Sequence, residues 1–431
     1  MQGTFTSDGG WTDTLPTMEH EPDERTMSGS ADAGPWLTGG VAGIGAASFL
    51  SDLGHEIPTA LLPGFLVTTI GAPASALGLI EGVADGAAGA AKLAGGALAD
   101  DPVRRRATAV GGYAATAVLS SLIGGAGSAV QVGLLRTGAW VARGLRSPSR
   151  NALLAETVPP AAYGRAYGFE RAMDNLGAIL GPLLALLLVA LTDTRTAILL
   201  SVIPGLLAAV AMVYAIRHTQ PAIRTERTPL RIRVRPVLHG ELGRLLLAVG
   251  AFEFGNIAAT LMILRATEVL EPSRGHDSAV QAGLLLYVGY NRAATLASVP
   301  GGRLADRRGP TRPVAAGVGM FLIAYIVLGA TGPDVVLLAL GFALAGVGIG
   351  FVETGGHAAV ARHAPEALRG SAFGLLAALQ SVGNLVASAV AGVLWTAISS
   401  GAAFAWAACW MALSLVLLAE PVRREGAAAR P

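Results

Sequence analysis

The sequence predicts an all-α integral membrane protein of twelve transmembrane helices, six in each of two repeats, and three observations lead there. Composition comes first: the 431 residues are 52% hydrophobic and only 14% charged, with 57 glycines and a mean hydropathy of +0.55. That is too apolar for a soluble domain of this size. Length comes second, because apolar segments of about 20 residues, enough to cross a hydrocarbon core of roughly 30 Å, follow one another along the chain. The third is an internal repeat. Gly95-Gly96-Ala97-Leu98-Ala99-Asp100 recurs as Gly301-Gly302-Arg303-Leu304-Ala305-Asp306, a shift of 206 positions. The same shift carries Pro159 onto Pro365, Gly164 onto Gly370, Gly168 onto Gly374 and Gly177 onto Gly383, so the chain is a duplicated unit of about 200 residues.

The expected spans are 36–66, 75–99, 107–127, 129–156, 164–192, 196–216, 242–268, 279–304, 313–332, 334–361, 370–398 and 402–419. Their Gly and Ala content suits helices that approach closely in lipid, where van der Waals packing replaces the hydrophobic effect between helices. Transmembrane strands would be about 10 residues long with alternating polarity, a pattern absent here. Arginines set the orientation. Arg104 to Arg106, Arg165, Arg217 through Arg244, Arg307, Arg308, Arg312, Arg362, Arg369, Arg423 and Arg424 all fall in loops or ends on one side. Arg195 and Arg274 are the exceptions, so the positive-inside rule places both termini in the cytoplasm of a multi-pass protein of the cell membrane.

Domain organisation follows. Residues 1–34 are polar, Gly/Ser-rich and acidic without a basic-then-apolar start, and read as a disordered cytoplasmic tail. Residues 35–217 form the first six-helix unit, 218–241 a basic, proline-bearing cytoplasmic linker, 242–420 the second unit and 421–431 a cytoplasmic tail. Charges segregate by side, so the net charge of +2 does not imply nucleic acid binding. Cys409 is the one cysteine and reads as a packed core thiol, which rules out disulfides and thiolate metal clusters. No P-loop is present, and neither a nucleophile elbow nor a His-Glu-x-x-His appears, so the chain reads as neither an ATPase nor an enzyme. No cofactor or metal set is assigned, and the expected state is a monomer in the lipid bilayer.

Gly302-Arg303-Leu304-Ala305-Asp306-Arg307-Arg308-Gly309, ending in Arg312, closely resembles the signature loop of the major facilitator superfamily. The family places this loop after helices 2 and 8, and both positions are filled here, the first as Gly96-Ala97-Leu98-Ala99-Asp100 followed by Arg104 and Arg105. At Asp101-Pro102-Val103 the first copy departs from the usual Arg-x-Gly. Glycine lets two helices approach, while an aspartate at a helix end pairs with arginines and can latch one conformation. A second resemblance lies in helix 5, where Gly168, Gly177, Gly181 and Pro182 match the motif linked in this superfamily with drug:proton antiporters. Ala185 and Leu186 replace two expected glycines. The resemblance implies two six-helix bundles related by a pseudo-two-fold along the membrane normal, with helices 1, 4, 7 and 10 around a cavity that alternates between the two sides.

Charge within the spans is concentrated in the first half. Arg136, Arg143, Arg146 and Arg150 share an arc of roughly 80° on helix 4. A charge at membrane depth must pair or line water, and Arg136 with Pro148 also fits the superfamily's helix-4 pattern, in which an arginine is linked with proton transfer. Carboxylates stand on helix 1 (Asp52, with His55, and Glu56), helix 2 (Glu81 and Asp85, with Lys92) and helix 5 (Glu170, Asp174). Asp52 and Asp174 read as the better proton carriers, because no lysine or arginine is placed on their own helix faces. Lys92 is expected to neutralise Asp85. The second half offers Glu253, Asn291, Arg292, Glu353 and His357.

The sequence therefore points to Asp52, Glu56, Arg136, Arg143, Glu170 and Asp174 for proton coupling. Asp52, His55, Arg136, Glu253, Glu353 and His357 are assigned to the substrate cavity, and Gly96, Asp100, Arg104, Arg105, Gly302, Asp306, Arg307 and Arg312 to the latch. The expected activity is secondary active transport by alternating access, as proton-coupled efflux of a small organic molecule. The alternative is uptake or export of a charged solute, either an organic anion or a divalent metal ion.

Overall fold

The computed structural model describes residues 36–219 and 231–428. The expected tail at 1–34 lies outside the described residues, as does 220–230 of the expected linker. Fourteen α-helices are present among the described residues: α1 (Gly39–Gly64), α2 (Ala74–Ala99), α3 (Pro102–Leu122), α4 (Ala129–Thr157), α5 (Tyr163–Leu191), α6 (Thr194–Leu200) and α7 (Val202–Arg217) in the first half, then α8 (Gly240–Gly255), α9 (Ala259–Arg274), α10 (His276–Arg308), α11 (Thr311–Ala330), α12 (Val335–His363), α13 (Arg369–Ala397) and α14 (Ser400–Ala428) in the second. A short π-turn, Phe65–Thr69, extends α1. The pair α6 and α7 abuts at Ser201 and the pair α8 and α9 is interrupted only at residues 256–258, so each half holds six membrane-length units.

Eight of these units are apolar enough to cross a membrane by length and composition. The other four, α1, α2, α4 and α10, all carry intramembrane charge. In α1 and α4 the charged side chains Asp52, Arg136, Arg146 and Arg150 are buried in the protein interior, the arrangement expected where a lipid-facing charge would be costly, whereas Arg292 of α10 is exposed.

The duplication is preserved in the helix ends. α4 and α12 begin and end 206 positions apart, and so do α5 and α13. Equivalent caps start the first pair: the Ser128 hydroxyl accepts from the Gln131 N–H at 3.3 Å, and Asp334 accepts from Val336 and Leu337. A side-chain oxygen at this position satisfies N–H groups that have no partner within the helix. The departure at Asp101-Pro102 has the same origin. Asp101 accepts from Val103 and Arg104, and Pro102 at the first helical position loses no hydrogen bond, so α3 starts without a glycine turn. The second copy instead turns at Gly309, whose φ is +93°.

The halves meet through α2 against α13 and α5 against α10. A Cβ added at Gly164 would lie 2.1 Å from the Gly302 carbonyl oxygen, and the symmetry-related pair, Gly96 and Gly370, is nearly as tight. Gly168 lies against Ser298, and Gly374 against Lys92, the residue equivalent to Ser298. Farther along α2 the contact fades. Gly89 faces only Ser381, and Gly86, Gly82 and Gly78 have nothing within 4 Å. The halves are thus closed at the end bearing Asp100 and Asp306 and part toward the opposite, open end.

Three details differ from the sequence reading. Cys409 is exposed on the outer face of α14 and is not a core thiol. One predicted span, 242–268, is interrupted at residues 256–258, where Asn384 Nδ2 donates to the Asn256 carbonyl and Ser388 Oγ accepts from the Ala258 N–H, replacing helical bonds. α14 also runs through Pro421 to Ala428.

A valine at Gly302 must push α5 away, at the roughly 1–3 kcal/mol typical of overpacking. In a Cys409→Ser background, a cysteine replacing the buried Ser298 should label with maleimide several-fold faster in Gly302→Val than without it; equal rates would refute this tight seam.

Candidate functional site

Two reciprocal caps close the structure. Asp306, at the end of α10, accepts from the N–H groups of Gly164 (2.6 Å) and Arg165 (3.1 Å) and from Arg165 Nε (2.8 Å) at the start of α5. Its equivalent Asp100 accepts from the Ser371 N–H at 2.8 Å and from the Ser371 hydroxyl at the start of α13. Each carboxylate meets the first turn of the other half's helix, where unpaired N–H groups and the helix dipole favour negative charge. The expected partners were arginines, which holds for Asp306 and Arg165 but not for Asp100. Arg105 instead pairs with Glu156 and donates to the Ala99 carbonyl, and Arg104 lies 3.9 Å from Asp101. Arg312 is close to Gly426 of α14, and Arg307 lines a cavity shared with Glu425.

Deeper in the first half, α4 and α5 build a compact charge cluster. Arg150 Nη1 lies 2.7 Å from Glu170 and 3.3 Å from Asp174, and donates to the Ser48 hydroxyl. Arg171 Nε lies 2.7 Å from the other oxygen of Glu170, while its Nη1 is 3.3 Å from Asp174 and 3.9 Å from Glu353 of α12. Two guanidiniums thus bracket two carboxylates, and one of them approaches a third carboxylate across the boundary between the halves. Glu170 is fully buried and also accepts from Ser48 at 2.6 Å. Asp52 lies within electrostatic reach of Asp174.

The glycines of the helix-5 motif explain that approach. A Cβ at Gly177 would sit 2.5 Å from the Phe49 carbonyl and 3.0 Å from Asp52 Cβ, and one at Gly181 would sit 2.4 Å from Glu56 Cβ. These positions seat α1 against α5, bringing the carboxylates of the two helices together. Pro182 continues the same helix, and Gly168 belongs to the seam with α10.

Nearer the open end, Arg143 lies 3.3 Å from Asp52 and hydrogen-bonds the His55 ring, which also lies 3.3 Å from Glu56. Arg136 pairs with Glu81 at 3.0 Å, donates to Thr59 and stacks on Trp140 at 3.5 Å, while Trp140 donates to Asp85. Arg146 has no carboxylate within ion-pair distance among the described residues. It donates to Ser51 and lies over Tyr113 at 3.8 Å, a cation–π contact.

The second half contributes Glu253, which accepts from Asn256 at 3.0 Å, and His357, whose Nδ1 meets the Glu353 carbonyl and whose ring lies beside Tyr167 and Phe373. Phe252, Phe321, Tyr325 and Phe404 form a chain of aromatic contacts in its interior. Asp52, His55, Glu56 and Arg143 thus sit together, as do Glu170, Asp174 and Glu353, whereas Arg136 belongs to a separate group with Glu81.

Two sequence readings need correction. Asp174 does have an arginine on its own helix face, Arg171, three residues earlier, and that residue was overlooked although the spacing is visible. Lys92 donates to Ser381 across the boundary between the halves instead of pairing with Asp85. No group of three or more His, Cys, Asp or Glu side chains placed to hold a metal is found among the described residues.

Two six-helix halves closed at one end around charged side chains define a membrane transporter of the alternating-access type. The family model of the Major Facilitator Superfamily matches residues 44–289 and 273–430, and the chain belongs to that superfamily. An uncharacterized MFS-type transporter of Methanocaldococcus jannaschii is 27% identical over 358 residues, 82% of this chain and 87% of that protein. The fold is similar to that of the human organic anion transporter MFSD10 (TM-score 0.64, 18% identity, 88% of this chain and 98% of that one). It also resembles a bacterial homologue of the iron transporter ferroportin in an outward-facing state (TM-score 0.73, 15% identity, 88% and 98%), and the Escherichia coli fucose:proton symporter FucP (TM-score 0.67, 15% identity, 88% and 97%).

Burial pushes the Asp100 carboxyl up, with its bonds to Ser371 and the charge of Arg105 opposing. A raised carboxyl favours closure when protonated, and that contribution is lost as pH rises through the raised value. Burial pushes the Asp306 carboxyl up in the same way, so acidification from neutrality into the carboxylate range should increase the closed population, read as a shortened inter-half distance, and Asp100→Asn combined with Asp306→Asn should remove this response. A closed population that falls on acidification in the unmodified chain would contradict the assignment.

Proposed function

We propose that the chain is a proton-coupled antiporter that exports a small organic molecule across the cell membrane, with both termini cytoplasmic. The observation that carries this reading is the bracketed cluster of Arg150, Arg171, Glu170 and Asp174 touching Glu353 across the halves. Its charges balance only while both guanidiniums and their carboxylates stay together. A proton reaching Glu353 from the open cavity removes the charge that draws Arg171 across the halves and leaves that guanidinium to Glu170 and Asp174, which their two arginines hold ionised. Rotation of the halves separates Arg171 from Glu353 and restores the pairing within α5. Proton occupancy and the direction in which the cavity opens are then linked through one guanidinium.

The wall formed by His55, Glu56, Trp140 and Arg143 on one side and by Glu253 and Lys92 on the other provides the substrate surface. Efflux as the direction follows from the helix-5 motif. The superfamily's proton-linked members, such as the fucose:proton symporter with the same fold, make a proton a reasonable coupling ion.

One observation favours a second reading, transport of an organic anion. The Arg143 side chain remains 29% exposed, whereas those of Arg136 and Arg150 are 2% and 9% exposed. It is a cation available to a solute, and MFSD10, which shares the fold, is an organic anion transporter. The two readings separate by experiment: Arg143→Gln should abolish uptake of an anionic substrate but leave a neutral or cationic one largely intact.

In proteoliposomes, substrate movement should stop when the pH gradient is collapsed. Asp174→Asn should reduce gradient-driven transport at least about tenfold while sparing substrate exchange in the absence of a gradient. Transport indifferent to the gradient, or full coupling in Asp174→Asn, would sink the proposal. Arg171→Ala strands two buried carboxylates, and removing one partner of a buried pair costs about 3–5 kcal/mol, so its melting midpoint should fall clearly below that of the unmodified chain.

A further inference from the structure

On the arginine-rich end of the second half, α8, α10, α11, α12 and α14 enclose a cavity of about 340 Å³. Its acidic side chains are partly committed, with one oxygen of Glu425 buried and without a hydrogen-bond partner. Asp306 caps α5, Glu241 lies 3.4 Å from His363, and Glu425 accepts from the Thr311 N–H at the start of α11. Two of its arginines, Arg244 and Arg424, share Glu420 just outside. The remaining three, Arg307, Arg308 and Arg362, line the cavity with no ion pair or hydrogen bond among the described residues. They come from two helices that are separate in sequence, so the fold itself gathers them. Five arginines therefore line the cavity against three carboxylates, an excess of two positive charges.

We propose that this cavity binds a phosphate-bearing anion. Guanidinium groups present planar forks of donors that match phosphate oxygens two at a time, which a carboxylate with one negative charge would satisfy less completely. The volume reaches the lower end of the range for small-ligand sites. Its position at the ends of the membrane-length helices is the level of phospholipid headgroups, where basic residues are attracted to an anionic surface. The same chemistry would accept a soluble phosphorylated molecule. A ligand here engages Arg307, the neighbour of the capping Asp306, and so anchors the end of α10 that closes on α5. Nothing in this site touches the central cavity, so it stands apart from the proposed transport activity.

Two probes separate the sources, both applied to the full-length protein in phosphatidylcholine–detergent micelles. Phosphatidylglycerol is titrated in one arm and inorganic pyrophosphate in the other, with binding read by native mass spectrometry and by the melting midpoint. At least one probe should bind saturably, and Arg308→Gln combined with Arg362→Gln should weaken it at least about tenfold. Arg423→Gln, an equal charge change on the same end but outside the cavity, should keep the unmodified affinity. Each single variant should show an intermediate loss, which preserves the test if the double variant fails to fold. Binding of phosphatidylglycerol alone identifies a lipid headgroup; binding of pyrophosphate, alone or in competition with the lipid, identifies a site open to soluble phosphate. Absence of saturable binding to either probe, unchanged affinity in the double variant, or an equal loss in Arg423→Gln would overturn the proposal.

Discussion

Two carboxylates that each cap a helix of the opposite half set the conformation on which everything else depends. Asp100 on α13 and Asp306 on α5 are related by the repeat, and so are the residues they meet, Ser371 and Arg165. Loss of such a cap costs about 1 kcal/mol or more, and two acting together with the glycine seam behind them bias a rigid-body equilibrium substantially. Closure at that end obliges the halves to splay at the other, because the helices are stiff and the glycines beyond Gly89 have no partner to reach. The charged cavity is open for that reason.

Within the open cavity the halves have taken different roles while keeping the same frame. The first half fills its interior with ion pairs between α1, α4 and α5, whereas the second fills the corresponding space with aromatic rings. A charge buried in hydrocarbon is tolerated only when paired or wet, so the charges of this network sit in mutual ion pairs. Arg171 belongs to that network. It is held by its own helix and reaches toward Glu353 of the other half. The helix-5 glycines have a concrete structural part in this, because without the contacts at Gly177 and Gly181 the carboxylates of α1 could not approach those of α5.

Much of this was legible in the chain, and what was not has identifiable physical causes. The all-α membrane fold was readable because lipid imposes one length and one polarity on its spans. The duplicated loop marked the two aspartates that cap helices of the opposite half, because both copies kept them. The true partner of Asp100 was hidden, since a backbone N–H at a helix start looks alike in every sequence; the one clue was the shift that sets Ser371 against Arg165. Arg171 was overlooked because a charge beside Glu170 resembles a local pair, and its reach toward Glu353 depends on how the halves dock. Likewise, the interruption at residues 256–258 carries no proline or glycine pair, and depends on Asn384 and Ser388 supplying bonds from another helix. Lys92 found Ser381 and not Asp85 because its side of α2 is the seam itself.

The central claim, that two reciprocal carboxylate caps hold one end closed, is tested most directly by distance. Spin labels at Val103 and Glu366, on opposite halves beside the caps, would be measured by pulsed electron paramagnetic resonance in a Cys409→Ser background. The account predicts one short separation in the otherwise unmodified chain, a new longer population when Asp100→Ala and Asp306→Ala are combined, and a retained short separation when both become asparagine, which still offers an acceptor. A distance distribution in the alanine pair indistinguishable from that of the unmodified chain would contradict it.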